Sequence, residues 1–310
     1  MSDSPDPVGP RAVAGVGVDH ALLAVAIVAV STSAPLIRYA AAPALAIAFW
    51  RNVLAPPVLA PAAWRQRHLD RRARRLIALA GVLLAAHFAV WIPSISYTSV
   101  ASSVALVATQ PVWAALIARR RGEDVSRAVW LGIGVALVGV AILTGVDFSL
   151  SSRALFGDLL ALLGGMFAAG YVAVGAEVRR SVGTAVYAWG CYATAAATLL
   201  VVCLASGRSL TGYDTGTWLA LGALVVGPQL LGHTLVNLVL RSITATAVSV
   251  AILFEIIGAA LIAAVAFDET PPIGAAPAAV LILTGVVMVI RAGRQASNRG
   301  LDTTRQPPVQ

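Results

Sequence analysis

Ten apolar stretches divide this 310-residue chain, each about as long as a helix needs to cross a bilayer, roughly 17–25 residues. They run over 21–37, 44–62, 76–92, 100–118, 128–143, 159–176, 185–204, 218–240, 244–267 and 273–290. The reading is an all-α membrane protein of ten transmembrane helices. Turn formers separate the stretches, among them Pro43, Pro93, Gly122, Gly207 and Pro271-Pro272, and the connectors leave no room for a soluble domain. Composition agrees: 59% of residues are hydrophobic and 12% charged, half the charge of an ordinary soluble domain, so no water-soluble core is served by this chain. The first stretch reads as a helix rather than a cleaved leader, because Asp3, Asp6 and Asp19 outweigh Arg11 where a signal peptide is positive.

The net charge of +8 comes entirely from arginine among the basic residues, and the arginines lie in short runs between the apolar stretches. That placement reports topology rather than nucleic-acid binding. With the N-terminus inside, the inner segments hold Arg11, then Arg65, Arg67, Arg71, Arg72, Arg74 and Arg75, then Arg119, Arg120, Arg121 and Arg127, then Arg179 and Arg180, then Arg241, and last Arg291, Arg294, Arg299 and Arg305. The outer segments hold Arg38, Arg153 and Arg208, and Arg51 lies within the second stretch. Both termini are therefore expected in the cytoplasm, with the chain multi-pass in the plasma (inner) membrane. Cys191 and Cys203 stand 12 residues apart on one apolar run, too far along a helix to bridge, and signal neither a disulfide nor a metal site.

A shift of 146 residues places Thr98 on Thr244, Ser103 on Ser249, Glu123 on Glu269, Gly139 on Gly285 and His87 on His233. A shift of 139 places Trp50 on Trp189. The chain thus reads as a tail over 1–20, a five-helix repeat over 21–145, a second over 157–290 and a tail over 291–310. An odd number of helices per unit makes the second enter the membrane from the opposite side, so the repeats are inverted.

The residues also resemble a family. Gly157-Asp158-Leu159-Leu160-Ala161-Leu162, Phe49-Trp50-Arg51, Gln110-Pro111 followed by Gly122-Glu123, and the run from Glu255 to Asp268-Glu269 are similar to the drug/metabolite transporter superfamily, specifically its EamA-type members. The resemblance spans 21–290. It implies a ten-helix exporter with both ends cytoplasmic and a central cavity lined by both repeats. Members are thought to carry amino acids, metabolites, sugars or cationic drugs. The family usually has a proline after the acidic position of the ninth helix; Ile256 stands there, so no proline kink is expected, whereas Pro111 supplies one in the fourth.

Cost selects the candidate site. A charged side chain near the middle of a membrane helix costs roughly 2.5–3.5 kcal/mol and normally faces the bundle interior or a water-filled cavity. Glu255 is the strongest candidate, read as lying two turns or more from either end of its helix, and as a protonatable switch or an anionic anchor for a solute's amino group. Gln229, His233 and Asn237 recur on one helical face, with repeat partners Leu83, His87 and Trp91. Gln110 and Tyr171 complete the expected substrate-binding set; Trp50 and Trp189 offer stacking surfaces, and Tyr97, Thr98 and Ser102 add polarity near the fourth helix. The bland reading makes the histidines hydrogen-bonding glue. Gly164-Gly165, Ala168-Ala169, Gly132 and Gly139 read as helix-packing positions, and Arg38, Asp147, Asp158, Asp268 and Glu269 as helix-end residues.

No HExxH, GxSxG, Walker loop or CxxC is present, so catalysis, a cofactor and a metal are not expected. The expected partners are a small solute and the bilayer, without nucleic acid; a homodimer is compatible with the sequence. A secondary transporter is the first reading, exporting a small metabolite, amino acid or amphipathic or cationic drug by alternating access. A membrane-embedded lipid-modifying enzyme and a non-transporting assembly subunit are the alternatives.

Overall fold

The computed structural model describes residues 10–64, 69–94, 96–98, 100–144, 151–267 and 274–305. Every regular element among them is helical: α1 (Pro10–Ser31), α2 (Ser33–Tyr39), α3 (Ala44–Val53), α4 (Ala55–Ala63), α5 (Arg71–Ser94), α6 (Val100–Val107), α7 (Gln110–Arg120), α8 (Arg127–Thr144), α9 (Ser152–Val178), α10 (Thr184–Ala205), α11 (Thr215–Leu224), a π-helical stretch (Val225–His233), α12 (Thr234–Val239), α13 (Ala245–Ala251), α14 (Phe254–Phe267) and α15 (Ala275–Arg305). Among the described residues six helical spans are long and apolar enough to cross a membrane, and three shorter apolar helices accompany them. The outward faces carry Val58, Leu219 and Val265, all well exposed, a surface that hydrocarbon solvates and water does not.

Local chemistry sets the helix ends. Asp70 Oδ1 accepts the Ala73 N–H at 2.6 Å, Ser151 Oγ that of Ala154 at 3.2 Å, and Thr244 Oγ1 that of Ala247 at 3.2 Å. Asp214 opens α11 in the same way, and hydrogen bonds from the Thr217 side chain and backbone hold its carboxyl below the usual range. Gly122 and Gly207 follow α7 and α10 with φ of 82° and 61°, the left-handed conformation that closes a helix without a Cβ clash.

Small residues let the rods approach. α5 packs along α9, α10 lies against α3, α4 and α5, and α8 pairs with α15. A Cβ on Gly132 would come within 2.9 Å of the Gly285 carbonyl oxygen, and one on Gly139 within 2.8 Å of that of Ala278. Gly164 admits the Trp91 side chain. Pro111 cannot donate to Val107, and the freed Val107 carbonyl lies against Gly165, where a Cβ would stand 2.8 Å from the oxygen.

Several apolar stretches are broken rods. The fourth splits at 108–109 into α6 and α7, as Pro111 demands. The ninth also splits, at 252–253, against the expectation drawn from Ile256. Three i→i+3 bonds tighten the chain there, Leu253 N to Val250 O, Glu255 N to Ile252 O and Ile256 N to Leu253 O, at 2.8–3.3 Å. Glu255 is therefore not deep within a continuous helix but in the first turn of α14. Helix also extends past the expected spans, from Pro10 in α1 and to Arg305 in α15, because a rod need not stop where the hydrocarbon does. Asp147, Asp268, Glu269 and Pro271-Pro272 lie outside the described residues.

Candidate functional site

The breaks matter because of what they point at. An interior cavity of about 120 Å³ lies where α2, α3, α5, α7, α9, the π-helical stretch and α14 converge. Its wall includes Glu255, His87, His233, Trp91, Gln110 and Tyr171, six of the eight candidate residues. Gln110 is the first residue of α7 and Glu255 the second of α14, so each broken rod presents the N-terminal turn of its second half to the cavity. Helix N-termini carry partial positive charge.

Several polar wall residues are held by a neighbour. His87 Nδ1, as N–H, donates to the Gly164 carbonyl at 2.9 Å, and the ring stacks on Trp91 at 5.4 Å between centroids. His233 meets Phe88 and Tyr171 edge to face at 5.8 and 6.2 Å. Gln110 donates to Ser249 Oγ at 3.1 Å, joining α7 to α13. The Tyr171 hydroxyl donates to Asn237 Oδ1 at 2.8 Å, joining α9 to α12. Glu255 is half-buried.

Arg51 completes the wall and was absent from the candidate set. It is 1% exposed. Its Nε donates to Gln229 Oε1 at 3.0 Å, Nη1 to Ser33 Oγ at 3.3 Å, and the Phe88 ring covers one guanidinium face at 4.4 Å. The cost argument applied to Glu255 singles out an arginine in an apolar stretch equally well. Arg51, placed within the second stretch and in the Phe49-Trp50-Arg51 run, was legible by that argument.

Gln229 and Asn237 lie off the cavity wall. The stripe expected from α-helical spacing assumes a regular rod, but residues 225–233 form a π-helical stretch around Pro228 and the register changes within it. Gln229, fully buried, bonds Arg51 and, through Nε2, Asn52 Oδ1 at 3.1 Å, while Asn237 holds Tyr171. Trp50 and Trp189 are also elsewhere. The Trp50 indole N–H donates to the Leu210 carbonyl at 2.8 Å and its ring meets Trp218, and Trp189 lines an outer groove with Trp64. Thr98 donates to Asp158 Oδ1 at 2.6 Å, tying the α5–α6 connection to α9. The Ser102 side chain lies outside the described residues.

A wider vestibule of about 650 Å³ opens at the arginine-rich ends of α5, α7 and α9 and the start of α13. Arg72 pairs with Glu177 at 2.5 Å, Arg121 stands 3.8 Å from the same carboxylate, and Arg121 Nη1 also donates to the Ala173 carbonyl at 3.0 Å. Gln110, Ser249 and Tyr171 of the cavity wall lie within about one helical turn of the vestibule residues Ala114, Thr246 and Ala173. Among the described residues no three His, Cys, Asp or Glu side chains gather as a metal cluster would.

The EamA-like transporter family model matches residues 17–145 and again 155–291. No curated protein matches the chain. A crystal structure of a protein 19% identical superposes with a TM-score of 0.76, over 90% of this chain and 99% of that one, which shows a shared fold.

Proposed function

The chain belongs to the EamA-like transporter family, and on that premise we propose that it exports a small solute through the interior cavity by alternating access. The observation that carries this reading is the cavity wall. Residues from both matched segments, Arg51, His87 and Gln110 from the first and Tyr171, His233 and Glu255 from the second, meet around one void. Polar groups held at that depth in an apolar bundle are expensive, and a solute path is the use that justifies them.

In this reading the ten spans form two inverted five-helix repeats, over 21–145 and 157–290, with both termini cytoplasmic in the plasma membrane. The vestibule is then the cytoplasmic mouth, and the Gln110–Ser249 and Tyr171–Asn237 bonds form the layer that parts when the mouth connects to the cavity. Glu255 acts as a protonatable switch or as an anchor for a solute's amino group, and export draws on an existing gradient. The cavity is smaller than the ~300–1,000 Å³ of drug-sized sites, which favours a small metabolite or amino acid over a bulky drug.

Reconstitution tests the reading. Purified protein in liposomes should accumulate at least one of a panel of labelled amino acids, small organic acids, sugars and amines faster than protein-free vesicles do, with a response to an imposed pH gradient. Equal rates with and without protein across the panel contradict it.

A further inference from the structure

Arg51 is built into the cavity wall with part of its hydrogen-bonding capacity unspent. A guanidinium has five N–H groups. One on Nε goes to Gln229 and one on Nη1 to Ser33, while Nη2, buried, has no partner. One N–H on Nη1 and both on Nη2 are therefore unspent. Phe88 occupies one face of the group, so the remaining approach is in the guanidinium plane.

We infer that Arg51 is the anchor for a carboxylate on the transported solute, received in the plane of the guanidinium on the Nη1–Nη2 edge. The inference rests on the cavity being the solute's path. A planar carboxylate matches that edge with two charge-assisted bonds. Glu255, the carboxylate in the same wall, attracts Arg51 through space but forms no ion pair with it among the described residues, so the buried guanidinium has no anion bonded to it, which is costly. The N-terminal turn of α7 adds positive potential to the same cavity, whereas that of α14 carries the Glu255 carboxylate. The neighbouring imidazole donates elsewhere, His87 to Gly164, and the bond from Gln229 fixes the guanidinium orientation. Arg51 is thereby pre-organised for an acceptor that no side chain of the wall supplies.

The test uses matched pairs that differ in the carboxylate alone: alanine and alaninamide, isobutyrate and isobutyramide, phenylalanine and phenylalaninamide, each measured for binding to the full-length protein in detergent by thermal stabilisation and for flux in liposomes. At least one carboxylate should bind and move about tenfold or more better than its amide, in line with a hydrogen bond to a charged group. Arg51→Gln should abolish that discrimination, and Arg51→Lys, a point charge without the planar fork, should retain part of it. Discrimination in the unaltered protein needs no variant, so misfolding of Arg51→Gln leaves the inference exposed to refutation. Amides that match their carboxylates overturn it, and so does an Arg51→Gln protein that still discriminates. If no carboxylate is carried while an amine or sugar is, the anchor fails and the transport reading stands; if nothing in the wider panel is carried, both fail.

Discussion

Glu255 and Arg51, an acid and a base in one apolar cavity wall, form no ion pair among the described residues. Glu255→Gln keeps shape and hydrogen bonding while removing the charge. Solute flux in liposomes should fall roughly tenfold to hundredfold, the worth of a hydrogen bond to a charged group, with normal membrane expression. Undiminished, gradient-dependent flux in that variant would remove Glu255 from the mechanism. The sequence made part of this site legible, because Glu255, His87 and His233 are conspicuous once polar residues in apolar runs are costed. The same costing applies to Arg51, the arginine that lies inside an apolar stretch, and its place in the wall is what the structure adds. Gln229 and Asn237 were legible as buried polar residues but not as supports, since the placement of a π-helical stretch is not written in residue spacing.

At the scale of the element, the broken rods were half legible. Pro111 announces the break between α6 and α7. No such mark precedes α14, where the chain turns by i→i+3 bonding instead. Ile256 occupies the first turn of α14, where proline removes only the 3.3 Å bond to the Leu253 carbonyl, so Ile256→Pro should lower the thermal midpoint much less than Ile262→Pro, which in the body of the same helix should cost about 3 kcal/mol and much of the folded protein. Equal losses in the two variants would mean that the rod is continuous through 252–253. Close packing supplies a second contrast, within α8. Gly132 abuts Gly285 of α15, while Gly134 has open space around its Cα. Gly132→Leu should overpack the α8–α15 contact by about 1–3 kcal/mol, and Gly134→Leu should leave the midpoint nearly unchanged in a size-exclusion melting assay. The opposite order would refute the α8–α15 packing.

For the molecule as a whole, helical content and membrane character were legible from length and hydropathy, and the family match agrees. The convergence of α3, α5, α7, α9, the π-helical stretch and α14 on one cavity was not, because pairwise packing of alanine-rich rods leaves little trace in sequence. Orientation remains a prediction from arginine placement, and it is checkable with impermeant thiol reagents on the protein lacking Cys191 and Cys203. Glu123→Cys, beside Gly122, should react only after the membrane is opened, and Thr211→Cys, beside Gly212, should react in intact cells; reversed labelling overturns the cytoplasmic placement of the termini, and labelling from one side alone overturns the inverted arrangement. The cavity's role as the path is the central claim, and one measurement addresses it directly. In the same background, Val107→Cys puts a thiol in the cavity wall and Thr211→Cys one in an exposed loop. After complete modification by N-ethylmaleimide, verified by mass, flux of whichever solute the unmodified protein carries should fall at least about tenfold for Cys at 107 and stay unchanged for Cys at 211, whereas full flux with the cavity thiol modified would contradict the account.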